Sequence, residues 1–289
     1  MTPTNKVIVT GARGFLGREI CRLLSGKVEI FSVQRESSDI DLPGVEVVPW
    51  EHDVVRFSAR VQEISPNSVI HLAALYRSID DPSDLSEMVD ASVLLTGALM
   101  FGLQEGNGRL VLAGTRFQRL NEGNAISVYA SMKSFQRQLA LQMSSAQVEV
   151  AHLEVGDVYG LGDTRDKIFS RLKGAALTGV PISLAGPENL IYPVHVSDAA
   201  KAFIAALSPE IRGNNDYSVV GVDGSMTVMA LARVFEEKTG STFISNKNSD
   251  TLGKVNSTLM EPLKLPSPIP GWSPEIGINE GVAALLEIP

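Results

Sequence analysis

The 289-residue chain is poor in cysteine, in aromatic residues and in positive charge. Its single cysteine, Cys21, excludes an internal disulfide framework and a zinc cluster built on cysteines. Lysine and arginine number 25 against 33 acidic residues, so the formal net charge is −8, which disfavours binding to duplex nucleic acid. No apolar run approaches the roughly 20 residues of a membrane span, and the N-terminus lacks the basic and apolar segments of a signal peptide. We therefore expect a soluble, cytoplasmic protein without nucleic-acid or membrane partners.

Short β-branched segments alternate with helical segments over the first half of the chain. The segments that predict strands are residues 6–10, 28–33, 45–49, 68–72, 109–113 and 148–155. The segments that predict helices are residues 18–24, 56–64, 85–104 and 125–144. Most of the strands are apolar throughout, as is typical of a parallel sheet with helices on both faces. The pattern therefore predicts an α/β fold with a doubly wound, Rossmann-like parallel sheet.

The regular alternation of predicted strands and helices ends after Gly156. Beyond it we predict helices at residues 168–177, 196–207 and 226–239, and short strands at residues 181–184 and 217–220. We expect residues 1–157 to form the sheet domain. Residues 158–289 should mainly form a smaller C-terminal lobe that interleaves with it.

A glycine-rich segment separates the first predicted strand from the first predicted helix. Gly11, Gly14 and Gly17 have the spacing Gly-x-x-Gly-x-x-Gly, one residue longer in its first interval than the Gly-x-Gly-x-x-Gly fingerprint. Glycines at this place let the backbone approach a pyrophosphate, and the helix N-terminus then offers N–H groups to the anion. The segment therefore predicts a dinucleotide site, although glycines also mark plain turns.

Two features bear on which dinucleotide is bound and on catalysis. Arg35 follows the second predicted strand, where NAD sites tend to carry an acidic residue, and Arg13 lies within the glycine segment. Arginines there suit the 2′-phosphate of NADP(H), unless both are solvated surface residues.

Tyr129 and Lys133 stand four residues apart on a predicted helix and so share one face. A lysine ammonium can lower the pKa of a phenol toward the working range of an acid or base, but such pairs also occur by chance on surfaces.

Several segments, taken in order, resemble the extended short-chain dehydrogenase/reductases, a family that acts on sugar nucleotides. They are His-Leu-Ala-Ala at 71–74, Tyr-Ala-Ser-Met-Lys at 129–133, Val-Tyr-Gly at 158–160, Pro-Val-His-Val-Ser-Asp at 193–198, and the closing stretch from Gly271 to Gly281. Within that family, residues 114–118 and 159–167 are most similar to 4-ketoreductases of deoxysugar pathways, such as the CDP-abequose and CDP-paratose synthases.

The resemblance implies roles for particular residues. Tyr129 would exchange a proton with the substrate oxygen, Lys133 would also hold the nicotinamide ribose, and Thr115 would orient that oxygen, unless it only caps its own turn. The other residues expected at the cofactor are Gly11, Arg13, Gly14, Phe15, Leu16, Gly17, Arg35, Asp53, Val54, Leu72, Ala73, Ala74, Val155 and Val158. Those expected at the substrate, besides Thr115, are Tyr76, Arg116, Asp157, Arg165 and Lys167. Asp53 has turn capping as its alternative role, and Arg165 and Lys167 have solvation.

The resemblance further implies an NADPH-dependent reductase of a nucleotide-diphosphate 4-keto-6-deoxy sugar. Residues 85–104 and 125–144 would join two copies into a homodimer. A nucleotide-sugar 4-epimerase with tightly bound NAD and a non-catalytic NADP-sensing protein are the alternatives. A 4,6-dehydratase is disfavoured because Arg116 and Phe117 occupy the places of that enzyme's Asp-Glu pair. The four histidines show no metal-ligand spacing, so no metal is expected.

Overall fold

The computed structural model describes residues 5–35, 43–75, 81–104, 106, 108–119, 127–245, 259 and 262–287. The chain forms two compact units, and neither is a single run of sequence. The first comprises Met1–Val155, Ala200–Ser218 and Leu265–Trp272. The second comprises Gly156–Ala199, Val219–Lys264 and Ser273–Pro289.

Strands and helices alternate along most of the described chain. The strands are β1 (Lys6–Thr10), β2 (Glu29–Gln34), β3 (Val45–Pro49), β4 (Ser68–His71), β5 (Arg109–Thr115), β6 (Glu149–Val155), β7 (Asp157–Tyr159), β8 (Leu190–Ile191), β9 (Pro193–His195), β10 (Asn215–Val219) and β11 (Met226–Thr227). The α-helices are α1 (Phe15–Leu24), α2 (Val54–Ile64), α3 (Pro82–Val89), α4 (Leu95–Leu103), α5 (Val128–Gln142), α6 (Ile168–Thr178), α7 (Val196–Ala205), α8 (Val228–Thr239) and α9 (Ile278–Leu286). A π-helical turn, Asp90–Leu94, joins α3 to α4, and a 3₁₀ turn, Arg116–Arg119, follows β5.

The main sheet has seven strands in the order β10-β6-β5-β4-β1-β2-β3. The neighbouring pairs from β3 across to β6 are parallel. The strand order reverses at β1, and such a reversal is where doubly wound sheets bind ligands, beyond the carboxyl ends of their strands. Thr10 is paired with His71, so the segments that follow β1 and β4 lie side by side at that edge. The predicted α/β fold is confirmed.

The central strands are apolar because both of their faces are covered. Ile8, Val69 and Leu110 are buried in one cluster with Leu99 and other residues of the flanking helices. At roughly 25 cal/mol per Å² of apolar area, such burial is the main stabilising contribution to the fold. The sheet is therefore a rigid base for residues at its carboxyl edge.

The long helix expected at residues 85–104 is interrupted by the π-helical turn. Asp81 caps its N-terminus by accepting a hydrogen bond from the N–H of Ser83 at 2.8 Å. From Pro82 to Leu103 it is 22 residues long, and an 18-residue window within it has a mean hydropathy of 1.3, values that a membrane span could also have. In this fold, core packing accounts for the composition, because Leu95, Leu99 and Met100 are buried in the first unit.

The second unit has its own core around Tyr159, Phe169 and Phe235, formed by α6, α8 and α9. The strand predicted at residues 181–184 is wrong, because only Ile182 pairs there, in an isolated bridge with Ile244. Pro181 has no N–H to extend that pairing. The short pair β7–β9 and helix α9 were not predicted by the sequence pattern.

Candidate functional site

The glycine segment forms a tight turn between β1 and α1. Gly11 has a φ of +69°, which favours glycine, and the N–H of Gly14 donates to its carbonyl oxygen at 2.9 Å. A Cβ atom at Gly17 would collide with the Gly11 carbonyl and lie 2.7 Å from Cα of Ala12. A Cβ atom at Gly11 would lie 3.2 Å from the backbone nitrogen of Ala73. Three backbone segments therefore meet here with no room for side chains.

This turn fits the pyrophosphate of a dinucleotide. Helix α1 begins at Phe15 with Gly14 at the N-cap position, where no side chain shields the helix end. The first turn, Phe15 to Arg18, contains no carboxylate, so the positive end of the helix dipole is not neutralised within it. Phe15 and Leu16 lie in that turn, as expected for residues next to a phosphate.

Tyr129 and Lys133 lie on α5, and the Lys133 side chain is held by hydrogen bonds near the carboxyl end of β5. Only 2% of Lys133 is exposed. Its Nζ donates hydrogen bonds to the carbonyl oxygen of Ala113 at 2.8 Å and to Oε1 of Gln136 at 3.0 Å. Burial lowers the pKa of Lys133 from 10.5 to about 7. The ammonium and the amine forms of Lys133 are therefore both accessible near neutral pH.

Thr115 is the last residue of β5 and comes two residues after the carbonyl that holds Lys133. It is buried, and its N–H donates to Oε1 of Gln118 at 2.6 Å. Its hydroxyl accepts a long hydrogen bond from the N–H of Phe117 at 3.4 Å, as in a strand-end turn. Arg116 is buried as well, with its guanidinium carbon 4.3 Å from the centre of the Phe117 ring.

The residues expected at the adenosine half of a dinucleotide follow β2 and β3. Arg35 directly follows β2, and its Nη1 lies 3.3 Å from Oε2 of Glu87 on α3, with both side chains about half exposed. Arg13 is exposed in the glycine segment, where its carbonyl accepts from Nε of Arg18. Asp53 is the N-cap of α2 and accepts from the N–H of Arg56 at 3.0 Å, and Val54 begins that helix. The capping role considered for Asp53 is thus present.

The residues expected at the nicotinamide half divide between the two units. Leu72, Ala73 and Ala74 follow β4 beside Gly11, and Val155 ends β6 in the first unit. Val158, in the second unit, is paired with Val194 on β9. Tyr76 lies outside the described residues.

Three expected substrate residues lie in the second unit, and all have local partners. Asp157 accepts from the N–H of Tyr192 at 2.8 Å. Arg165 forms two hydrogen bonds with Asp163, at 2.6 and 2.7 Å, so much of its charge is balanced. Desolvation, and then the nearby Arg165, lower the pKa of Lys167, whereas Asp157 and Asp163 act in the opposite direction.

The sequence matches the NAD dependent epimerase/dehydratase family over residues 7–220, well over half of the chain. The chain belongs to this family. A curated relative, the capsular polysaccharide biosynthesis protein CapD of Staphylococcus aureus, is 24% identical over 220 residues, which are 70% of this chain and 36% of that protein. The chain therefore spans about a third of the length of this relative.

Solved structures share the fold of this epimerase/dehydratase-family chain over nearly its whole length. MoeE5, in complex with UDP-glucuronic acid and NAD, has a TM-score of 0.76 at 23% identity, covering 98% of both chains. UDP-glucose 4-epimerase of Thermotoga maritima with UDP-glucose has a TM-score of 0.75 at 16% identity, covering 98% of this chain and 97% of that one. The dTDP-glucose 4,6-dehydratase of Bacillus anthracis in complex with NAD has a TM-score of 0.75 at 17% identity, covering 98% and 96%. At these identities the likeness concerns the fold.

In this member of the family, a buried polar network that the sequence pattern did not predict surrounds His71. Nδ1 of His71 lies 2.7 Å from the hydroxyl of Thr10, and Nε2 lies 2.8 Å from Nε2 of Gln136 and 2.9 Å from the hydroxyl of Thr96. Burial, with a smaller contribution from the Lys133 charge, lowers the pKa of His71 to about 3, so its ring is neutral at working pH. The partners Thr10, Thr96 and Gln136 gave no sequence signal, because they come from three segments that are far apart along the chain.

A second buried histidine lies in a charged group. His152, Glu154 and Asp216 bring potential ligand atoms within 4.8 Å of one another. Nδ1 of His152 lies 3.0 Å from Asp216, and Arg137 forms hydrogen bonds of 2.6 and 2.7 Å with the same carboxylate. The charge of the Asp216 carboxylate is therefore already balanced by an arginine. Burial acts to raise the pKa of Asp216, but its hydrogen bonds to His152 and Arg137 outweigh burial and lower the pKa.

Proposed function

We propose that the protein is an NADPH-dependent reductase of a nucleotide-diphosphate 4-keto-6-deoxy sugar. The observation that carries the proposal is the anchoring of Lys133, on the helix that bears Tyr129, to the end of the strand that bears Thr115. A phenol, an ammonium and a hydroxyl on these two elements are the groups that reduction of a ketone requires. Family membership, and the fold shared with proteins solved with UDP-sugars, support a nucleotide sugar as substrate.

Each of these three residues has a task in the proton transfer, and Lys133 is also expected to hold the nicotinamide ribose. Tyr129 donates its phenolic proton to the carbonyl oxygen as that oxygen gains negative charge. The Thr115 hydroxyl donates a hydrogen bond to the same oxygen and so orients it. The Lys133 ammonium stabilises the phenolate that remains on Tyr129. When bound, the nicotinamide supplies the hydride for the carbonyl carbon.

The residues after Thr115 support reduction over dehydration. A dehydratase of this family is expected to place an Asp-Glu pair there, whereas this chain has Arg116 and Phe117. The guanidinium of Arg116 stacks on the Phe117 ring, so a cation and an apolar ring occupy the places of the two carboxyl groups. Neither group can serve as the acid and base that removal of water needs.

The preference for NADPH rests on Arg35 and Arg13. Both are exposed, and Arg35 directly follows β2, where the adenosine ribose lies in dinucleotide folds. The carboxylate of Glu87 faces Arg35, so a 2′-phosphate must compete with it for the guanidinium. Arginine has the geometry to bind a phosphate through two parallel hydrogen bonds.

In the second unit we assign Arg165 and Lys167 to the diphosphate of the substrate. They lie in the loop between β7 and α6, and desolvation lowers the pKa of Lys167. Asp163 holds two nitrogens of the Arg165 guanidinium, so a diphosphate must compete with Asp163 for that group.

We further propose that two copies pair through α4 and α5. Both helices are in the first unit, and each exposes a phenylalanine: Phe101 is 56% exposed and Phe135 is 47% exposed. Burial of such rings between two copies would remove apolar surface from water.

A nucleotide-sugar 4-epimerase is the second candidate, and the likeness to the T. maritima 4-epimerase favours it. An epimerase would use the same Tyr129 and Lys133 but would retain its NAD through the reaction. The two candidates therefore differ in cofactor consumption.

The experiment combines a cofactor assay with a substrate panel. Purified protein is checked for bound nicotinamide and then given NADPH with CDP-, dTDP-, GDP- and UDP-linked 4-keto-6-deoxyhexoses. A reductase should oxidise one NADPH for each sugar reduced. Tyr129→Phe should lower turnover by about 10²–10⁴ with little change in NADPH affinity, because only the proton donor is lost. Tyr217→Phe, a buried tyrosine on β10, is the control and should keep full activity.

Three results would contradict the proposal. Interconversion of 4-epimeric sugar nucleotides without net NADPH loss identifies an epimerase. Binding of NADPH with no turnover of any sugar indicates a sensing protein. Full activity in Tyr129→Phe removes the assigned mechanism.

A further inference from the structure

Gln136 lies one helical turn after Lys133 on α5 and is completely buried. Its amide joins two groups. Oε1 accepts a hydrogen bond from Nζ of Lys133 at 3.0 Å. Nε2 lies 2.8 Å from Nε2 of His71 and 3.0 Å from the hydroxyl of Thr96. The amide is thus held on both sides.

The orientation of this amide follows from the chemistry of its neighbours. A lysine ammonium has three N–H donors and no acceptor, so the group that faces it must be the amide oxygen. The amide nitrogen then faces His71, whose Nε2 must accept. The proton of the neutral ring is therefore on Nδ1, which faces Oγ1 of Thr10 at 2.7 Å.

The network ends at backbone predicted to contact the cofactor. Oγ1 of Thr10 accepts hydrogen bonds from the N–H groups of Leu72, at 3.1 Å, and of Ala73, at 2.9 Å. A continuous chain of hydrogen bonds thus runs from the catalytic lysine through Gln136 and His71 to the segment after β4.

We propose that Gln136 is a positioning residue: it holds the Lys133 ammonium in place and fixes it to the segment after β4. The only other described acceptor for this ammonium is the Ala113 carbonyl. If the bond to the Ala113 carbonyl were the only one, the ammonium of Lys133 could still change its orientation. The amide oxygen of Gln136, a second acceptor on the same helix, fixes the direction in which the ammonium points. The catalytic consequence rests on the proposed function, whereas the effect on Lys133 itself does not.

The protonation of Lys133 reports the interaction directly. A hydrogen bond from a charged group favours its charged form, so loss of the Gln136 oxygen should lower the pKa of Lys133 further. A carboxylate at the same place should raise it. Besides His71 on β4, the other titratable or charged groups with described side chains on α5 and on the elements packed against it are Asp84, Glu87, Asp90, Arg109, Arg116, Tyr129, Arg137, Glu149, His152 and Glu154. These groups are the same in every variant and cannot produce opposite shifts.

The experiment measures the pKa of Lys133 by NMR on protein with ¹³C-labelled lysine. The Lys133 signal is identified by its loss in Lys133→Met. Gln136→Met, of similar volume, should lower the pKa by about one unit or more, and Gln136→Glu should raise it by a similar amount. Gln138→Met and Gln138→Glu, at an exposed glutamine on the same helix, should leave it unchanged.

Two results would overturn the proposal. One is an unchanged Lys133 pKa in both Gln136 variants, and the other is a shift in the same direction in both, which indicates general loosening. If Gln136→Met does not fold, Gln136→Glu alone tests the proposal, because only a carboxylate held next to the ammonium raises the pKa of Lys133.

Activity then separates this proposal from the proposed function. In an active reductase, the loss of kcat at high pH should move to lower pH in Gln136→Met and to higher pH in Gln136→Glu. Opposite pKa shifts without turnover of any nucleotide sugar retain the role of Gln136 and reject the reductase. Turnover of a nucleotide sugar with no shift in the pKa of Lys133 supports the reductase and rejects the role of Gln136.

Discussion

Replacing Lys133 by methionine should remove a pH-dependent cost from the folded state while abolishing the proposed activity. The folded state holds the pKa of Lys133 at about 7, against 10.5 for a free lysine. At about 1.4 kcal/mol per pKa unit, keeping the buried ammonium protonated below pH ~7 costs about 5 kcal/mol. Methionine has a similar length and no charge, so it removes this cost.

The substitution also removes hydrogen bonds. The Ala113 carbonyl and Oε1 of Gln136 would lose their common donor, at about 1–3 kcal/mol for each buried acceptor left unpaired. The two unpaired acceptors together cost about 2–6 kcal/mol, so the net effect near pH ~7 lies between a gain of about 3 kcal/mol and a loss of about 1 kcal/mol.

The sign of the pH dependence is the sharper test. The folded-state pKa is lowered, so the contribution of Lys133 to stability is present above pH ~10.5 and is lost as the pH falls toward ~7. The free energy of unfolding of Lys133→Met, relative to that of the unaltered protein, should accordingly fall by about 2–3 kcal/mol between pH ~7 and pH ~9.

Urea unfolding of both proteins at these two pH values, followed by circular dichroism, measures the difference. Lys27→Met, at an exposed lysine, is the control and should show no such pH dependence. If the difference in free energy of unfolding between Lys133→Met and the unaltered protein were equal at both pH values, Lys133 would titrate as a solvent-exposed lysine and the argument from burial would be refuted.

Three further predictions concern the turn, the cofactor and the assembly. Gly17→Ala should abolish NADPH binding and destabilise the fold, because its Cβ collides with the backbone of the turn, whereas Gly97→Ala on α4 has free space and should be neutral or stabilising by up to ~1 kcal/mol in thermal unfolding. Arg35→Ala should weaken NADPH binding about tenfold to a hundredfold in calorimetry and leave NADH binding nearly unchanged; equal use of both cofactors by the unaltered enzyme would reject this assignment. Phe101→Lys should convert the proposed dimer into a particle of monomer mass in light scattering, and an unaltered protein that is already monomeric at micromolar concentration would exclude the interface.

The sequence by itself determined the features whose parts are neighbours along the chain. The glycine turn, the Tyr129–Lys133 pair and the apolar strands each depend on contacts within a few residues, so spacing alone predicts them. The α/β fold follows for the same reason, because strands that are apolar throughout need helices on both faces. The break in the helix at Asp90–Leu94 left no such signal, and neither did the bridge that replaces the strand expected at residues 181–184.

Only the tertiary structure decided which partners these residues have. Gln136 meets His71, 65 residues earlier, and Arg35 meets Glu87, 52 residues later. His152 meets Asp216 across 64 residues. Polar side chains carry no period that marks a distant partner, and their pairing depends on the order in which the sheet places its strands. The burial that lowers the pKa of Lys133 has the same origin, because a lysine on a helix becomes desolvated only when that helix packs against a strand.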